Sequence, residues 1–396
     1  MWSQIAKVKL PLILLAEVIF CLTLGDLVPE NIKAFLYSLS LAMKDILLFV
    51  LPAIIFSFVV SSLSDLKQGA LSFVILLFSM ICLSNFTSTC LSGFLGSLVF
   101  NNLAIIPNVQ TSAVELQPLW QLALPKLIPN EAALGAGLVL GLAFSFVAWK
   151  PGRNLAQASQ RFSIAVLNKV FIPVIPIFLV GFLLKLQHDQ LLALICKNYL
   201  SIFLMISVFL VVYLVLTYGF ASNFHLKKWG ASLRNMLPAA LAGFSSMSSA
   251  AAMPLTILGS EQNCDNKSLA RGVVPITTNI HLVGDCIGIP IMALAILLSF
   301  GGTLPSASEY IVFAGFFVLA KFAVAAVPGG GILVMLPILE QHLGFSGEML
   351  SLITMLYMMF DPVLTSSNVM GNGGFAMVIA KIVSGKRVRA RVGVEE

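Results

Sequence analysis

Charged residues interrupt this chain so rarely that the gaps between them outline its elements. Uncharged runs extend over 19 residues from Ile46 to Ser64, 47 from Gln68 to Val114, 18 from Ala132 to Trp149 and 29 from Asn198 to Leu226, against the roughly 20 that carry a helix across a bilayer. A lipid-embedded backbone satisfies its polar groups only within helices or a closed barrel, and these continuous runs lack the alternation of barrel strands. The pattern predicts an all-α polytopic membrane protein with about eight transmembrane helices, near residues 8–27, 38–64, 70–100, 132–149, 164–186, 198–220, 273–300 and 349–382. Lys7 and Lys9 precede the first apolar stretch as in a signal peptide, but no small-residue cleavage pattern follows, so a retained span is expected. The segment from Gln110 to Asn130, with Pro118, Pro125 and Pro129, is expected to be an external loop or a broken helix.

Two further apolar stretches are interrupted where a helix should be strongest. Asn235 to Ser260 carries Ser245, Ser246, Ser248 and Ser249, three alanines and Pro254; Phe322 to Leu339 carries Pro328 and the run Gly329 to Gly331. At membrane depth such breaks are tolerated where the loop is buried or lines a polar cavity. Both stretches are therefore expected to be re-entrant helical hairpins. Each precedes a span with polar residues in its middle: Thr277, Thr278, Asn279, His281 and Asp285 after the first, Asp361, Thr365, Ser366, Ser367, Asn368 and Asn372 after the second. Corresponding interrupted segments in two repeats point to the solute site of an inverted-repeat transporter.

Composition narrows the class without changing it. The chain is 59% hydrophobic and 10% charged, far from the roughly 25% charged residues of a soluble domain. Its formal charge of +6 sits mainly in short connections: Lys150, Arg153 and Arg161; Lys227, Lys228 and Arg234; and the tail Lys386, Arg387, Arg389 and Arg391. That is positive-inside topology, with both termini cytoplasmic in a plasma (inner) membrane, and not a nucleic-acid face. The six cysteines lie apart, without metal-ligand spacing, and are expected to be small buried hydrophobes. No catalytic constellation of an enzyme is evident, and no cofactor is implied beyond a coupling ion.

A carboxylate at the bilayer centre costs about 2.5–3.5 kcal/mol on insertion scales, so Asp285 and Asp361 need partners or water. Asp285 is either functional or a structural group facing His281 one turn away. Asp361, Thr365, Asn368 and Asn372 follow 4, 3, 4 spacing and share one helix face. That stripe either holds the ammonium and carboxylate of a zwitterionic amino acid or forms a polar interhelical seam. The serine run is a close-packing face or, at a hairpin tip, a source of free backbone N–H groups for a carboxylate; Gly329 to Gly331 would act similarly opposite.

From about residue 235 to 383 the chain resembles the dicarboxylate/amino acid:cation symporters, the glutamate transporter homologues. "SSAAAMP" at Ser248 to Pro254 is similar to their serine-rich tip, "VPGGG" at Val327 to Gly331 to their second tip, and "DPVLTSSNVMGN" at Asp361 to Asn372 to their last-helix pattern. The resemblance implies an elevator transporter, usually a homotrimer in the lipid bilayer. Its implied divisions are scaffold spans in 1–66, a transport-domain span in 67–105, scaffold spans in 106–190, a sixth span in 191–234 and the transport core in 235–396. By position, Asp361 would bind the substrate amino group, and Thr365 and Asn368 its polar end. Met247, Ser248 and Ser249 from one tip, with Val327 and Gly331 from the other, would complete the site.

The departures from the family pattern bear on substrate and coupling. Leu364 stands where acidic-substrate members have an arginine, and a leucine cannot pair a buried carboxylate; a neutral amino acid is expected, or a cationic one if Asp285 points into the pocket. An ungapped match of the seventh-span motif to "HLVGD" replaces one sodium-binding aspartate by Val283, and Asn372 replaces another; a two-residue gap would instead put His281 at the first. Sodium can remain at a site of backbone carbonyls, or His281 and Asp285 can couple to protons. Thr277, His281, Asp285, Asn368 and Asn372 are the candidates for the cation or proton. The leading expectation is a cation-coupled (Na+ or H+) symporter of a small neutral amino acid. The alternatives are a dicarboxylate or cationic amino acid symporter, a passive channel or a non-transporting receptor.

Overall fold

A computed structural model describes residues 2–64, 71–102, 116–122, 124–125, 128–147, 150–190, 192–324 and 328–384. Among them fourteen α-helices follow in order: α1 (Trp2–Leu24), α2 (Glu30–Ser64), α3 (Leu71–Asn102), α4 (Asn130–Val147), α5 (Lys150–Val166), α6 (Ile172–His188), α7 (Leu192–Ala221), α8 (Leu226–Ser246), α9 (Ser249–Asn263), α10 (Lys267–Ile280), α11 (Val283–Ser299), α12 (Ala307–Ala320), α13 (Gly330–Leu343) and α14 (Gly347–Ser384). Among the described residues five stretches are each long and apolar enough to cross a membrane: Glu30–Ser61, Ile75–Phe100, Tyr199–Ala221, Lys267–Ser299 and Gly347–Val383. α1 and α4 lie where the first and fourth spans are predicted.

The predicted span at 164–186 is not one straight helix. It straddles the bend of a broken pair, Pro151–Phe171 and Pro176–His188, angled by 51°, whose two arms are together long and apolar enough for a span. A π-turn over Leu167–Phe171 joins α5 to α6, and Pro173 and Pro176 each remove a backbone donor from the first turns of α6. The Lys150 to Arg161 linker is thus helical. Of the predicted loop at 110–130, residues 110–115 lie outside the described residues, and the described part of 116–129 is irregular. The basic tail also lies outside them.

Both interrupted stretches are helical hairpins, and both have longer arms than predicted. Hairpin 1 pairs α8 with α9 around Met247, a non-glycine residue in the left-handed region (φ 51°) that caps α8. Ser248 then starts α9 by accepting from Ala251 N at 3.2 Å, an N-cap that satisfies one orphan donor. Hairpin 2 pairs α12 with α13. Its first arm lies outside the predicted 322–339 because α12 carries no break of its own; its start is set by a capping box of Ser306 and Glu309. A short 3-10 turn, Lys321–Ala323, ends that arm, and Gly329 (φ 72°) opens α13.

Burial places the centre of the molecule. The window on Lys267–Ser299 is 94% buried and that on Gly347–Val383 83%, against 33% for Ile75–Phe100 and 22% for Tyr199–Ala221. So α10, α11 and α14 form the core, with α3, α7 and the two hairpins packed around them, while α2 packs on α4, α5 and α6. The apolar outer faces of α3 and α7, such as Leu83, Phe94, Val211 and Leu216, stay exposed, as lipid-facing positions do.

Candidate functional site

The Asp361 carboxylate joins the last helix to a hairpin tip. Its Oδ1 accepts from the Thr365 hydroxyl at 2.7 Å, one turn along α14, and its Oδ2 accepts from the Gly329 backbone N–H at 2.8 Å. Gly329 is the N-cap of α13, so the positive end of that helix is aimed at the carboxylate. Asp361 is 2% exposed, and among the described residues no cationic side chain forms an ion pair with it. Neutral donors hold this anion; its charge is left for something else to match.

Asp285 lies beside it in a different state. Its Oδ2 is 3.2 Å from the Lys321 ammonium, and its Oδ1 accepts from the Tyr357 hydroxyl at 3.2 Å and from Asn368 Nδ2 at 3.1 Å. The Asn368 Oδ1 in turn accepts from Gly284 N at 2.8 Å. Four residues from α11, hairpin 2 and α14 thus close a buried, charge-balanced network, with the Lys321 ammonium also 4.5 Å from the centre of the Phe317 ring. Gly331 belongs to the same contact, because a Cβ there would overlap Asp285 Oδ2 and the Tyr357 hydroxyl. The alternative in which Asp285 faces His281 does not occur.

The reason is a break in the seventh span. His281 and Leu282 are non-helical, which separates α10 from α11. Asn85 of α3 staples the break, donating to Ile280 O at 2.7 Å and accepting from Leu282 N at 3.3 Å. The turned-out imidazole meets Asn372 Oδ1 through Nδ1 at 3.0 Å and Ser84 Oγ through Nε2 at 2.9 Å, with the Phe375 ring tilted against it, centroids 4.2 Å apart. A mainly apolar cavity of about 480 Å³ between α3, α7, α11 and α14 borders this second cluster, lined by Ser84, Tyr213, His281 and Phe375 among others.

The structure therefore brings Asp285, Gly331, Asp361, Thr365 and Asn368 together, and joins His281 to Asn372 one step along α14. Leu364 is fully buried and fills a notch at Gly288, where a Cβ would come within 2.5 Å of it; it packs on α11. Thr277 spends its hydroxyl on the Val274 carbonyl at 3.1 Å. Met247 and Ser249 are buried and Ser248 half-buried at the tip of hairpin 1, whose Gly243 packs on Thr365 and Ser366. Val327 lies outside the described residues.

The family model that matches residues 10–382 is that of the sodium:dicarboxylate symporters. The chain belongs to the sodium:dicarboxylate symporter family. It is accordingly a multi-pass membrane transporter of a small solute, cation-coupled, and of a transporter rather than an enzyme family. No curated protein matches its sequence. Against this family frame, the residue that sequence reasoning missed is Lys321. Its signal was available: it is the single charge between Glu309 and Glu340 in an otherwise uncharged stretch, and an intramembrane lysine is a functional candidate by default. Tyr357, Ser84 and Asn85 carried no comparable signal, since such residues also occur in plain packing roles.

Proposed function

We propose that this symporter carries a small neutral amino acid across the plasma (inner) membrane together with a cation, sodium or proton. In this reading α3 and α7–α14 form a moving transport domain that travels as an elevator, α1, α2 and α4–α6 form the scaffold of a homotrimer, and the two hairpins are re-entrant. One observation carries the substrate class: Asp361 is a buried carboxylate held only by neutral donors at a hairpin tip, while its neighbour Asp285 is already neutralised by Lys321. A substrate ammonium supplies the charge that Asp361 lacks. The backbone donors of the hairpin tips suit the substrate carboxylate. Leu364 offers no partner to a second carboxylate, and the Lys321 pair removes the argument for a cationic side chain.

Dicarboxylate transport is the second reading, favoured by the family description and by the ammonium of Lys321 close to the site. Uptake into proteoliposomes, with sodium and proton gradients imposed separately over a panel of neutral, acidic and basic amino acids and dicarboxylates, decides between them. Accumulation of neutral amino acids against a gradient is the expected result. Accumulation of acidic solutes alone transfers the conclusion to the second reading. Ohmic current without accumulation means a channel, and binding without flux a receptor.

A further inference from the structure

Lys321 has no role in the amino-acid site as described, yet its side chain is completely buried. Taking an ammonium out of water costs several kcal/mol even after relaxation, so its position needs a compensating partner. That partner is Asp285, whose other oxygen is held by Tyr357 and Asn368. The two ends of the pair belong to different elements. Asp285 sits in the first turn of α11, in the buried centre, while Lys321 begins the turn between the arms of hairpin 2. Wherever hairpin 2 goes, its ammonium goes with it.

The partner of the ammonium is one that a small monovalent cation would also select. The ammonium meets one carboxylate oxygen, Asp285 Oδ2, while Tyr357 and Asn368 donate to the other, and hard cations are held by carboxylate oxygens. Taking away the amine while leaving the carboxylate would strand a buried anion that has to be neutralised by a proton or by a free cation entering from solution, the cation being the answer at a pH that keeps the carboxyl ionised.

We propose that Lys321 is a tethered cation. Its ammonium takes, against Asp285, the place that a bound sodium ion would otherwise have to fill when hairpin 2 closes over Asp361. Closure then consumes no sodium at this point, because the positive charge arrives on the hairpin itself. The proposal rests on hairpin 2 acting as the gate of the symporter. Its test therefore reads ion binding on the purified chain, whatever solute is carried.

Thermal unfolding is followed for the full-length protein in nanodiscs, with sodium chloride titrated against choline chloride at constant ionic strength, for wild type, Lys321→Met, Asp285→Asn and the double variant. The wild-type response to sodium is expected to be only that of any coupling site elsewhere, and so independent of the Lys321–Asp285 pair. Lys321→Met should have a lowered midpoint in choline that sodium restores saturably beyond the wild-type response, and the double variant, which has no stranded anion, should return to the wild-type response. A lysine that served packing alone would give a variant that no choice of monovalent cation rescues. A wild type whose sodium response exceeds that of the double variant overturns the proposal, and so does a folded Lys321→Met whose sodium response is no larger than that of the wild type. Should Lys321→Met fail to fold in either salt, the comparison of wild type with the double variant remains decisive: a sodium response lost with the Lys321 and Asp285 side chains refutes it. A positive result with no amino-acid uptake in the liposome panel would leave the tethered cation standing and discard the solute assignment.

Discussion

Gly331→Ala places one methyl group where hairpin 2 meets the core. The added Cβ lies 3.0 Å from Asp285 Cγ and overlaps both its Oδ2 and the Tyr357 hydroxyl, whereas carbon atoms pack best at about 3.5–4.0 Å. Neither neighbour can retreat freely: Asp285 is tied to Lys321 and Asn368, and Tyr357 is 2% exposed on α14. Hairpin 2 has to move instead. Overpacking of this kind costs about 1–3 kcal/mol, which shifts the balance between closed and open hairpin by roughly 5–150-fold. Because Gly329 N–H is held on Asp361 in this position of the hairpin, a hairpin 2 that gates the site as proposed should cost the variant apparent solute affinity by a comparable factor with a smaller effect on maximal rate. The assay is concentration-dependent uptake in proteoliposomes, paired with thiol-labelling of a cysteine placed in the α13 first turn, which should become faster. Unchanged affinity together with unchanged labelling would refute the close approach of hairpin 2 to Asp285.

Other positions give independent checks. Leu364→Arg would force a longer, charged side chain into the notch at Gly288 that the leucine already fills, so loss of folded protein on size-exclusion chromatography is expected; a stable variant that gains uptake of acidic amino acids would show that residue 364 can reach the solute. Asn372→Ala leaves the His281 Nδ1 without its acceptor, and a buried unsatisfied group costs about 1–3 kcal/mol, to be seen as a lower unfolding midpoint with solute affinity nearly unchanged. Ser248→Ala removes the N-cap of α9 at a cost of about 1 kcal/mol; labelling at the tip of hairpin 1 should rise, and an unaltered rate would mean the cap does not hold the tip.

Legibility in the sequence followed the strength of the local physics. Because lipid imposes length and apolarity on a span, long apolar runs placed α3 and α14 within a few residues at both ends and the C-terminal ends of α2 and α7 equally closely. The starts of α2 and α7, beyond the charges Lys44, Asp45 and Lys197, were missed. The hairpin tips were legible from Pro328, Gly329 and the serine run, which break helices by simple backbone chemistry. Arms were less so: α12 is an uninterrupted apolar segment, and its pairing with α13 is a tertiary matter. The polar stripe of α14 followed from helical periodicity alone. What its members bind did not, because the break at His281 and Leu282 rotates the imidazole away from Asp285, and that break is stabilised by Asn85, some 195 residues from Ile280. Lys321 was overlooked for a related reason. Its partner lies 36 residues away across a hairpin, and only the folded chain shows that this lone cation answers Asp285 and leaves Asp361 unanswered.

Asp361→Asn tests that last distinction most directly. The amide keeps the size of the side chain and can still meet Gly329 and Thr365, but it cannot match an ammonium, so a charge pair that is worth about 3–5 kcal/mol when broken in a buried site is lost to the solute alone. Measured as binding and uptake of the solute that the wild type accumulates, in a variant verified to be folded, the account predicts that both fall beyond detection. Uptake at near wild-type affinity would contradict it.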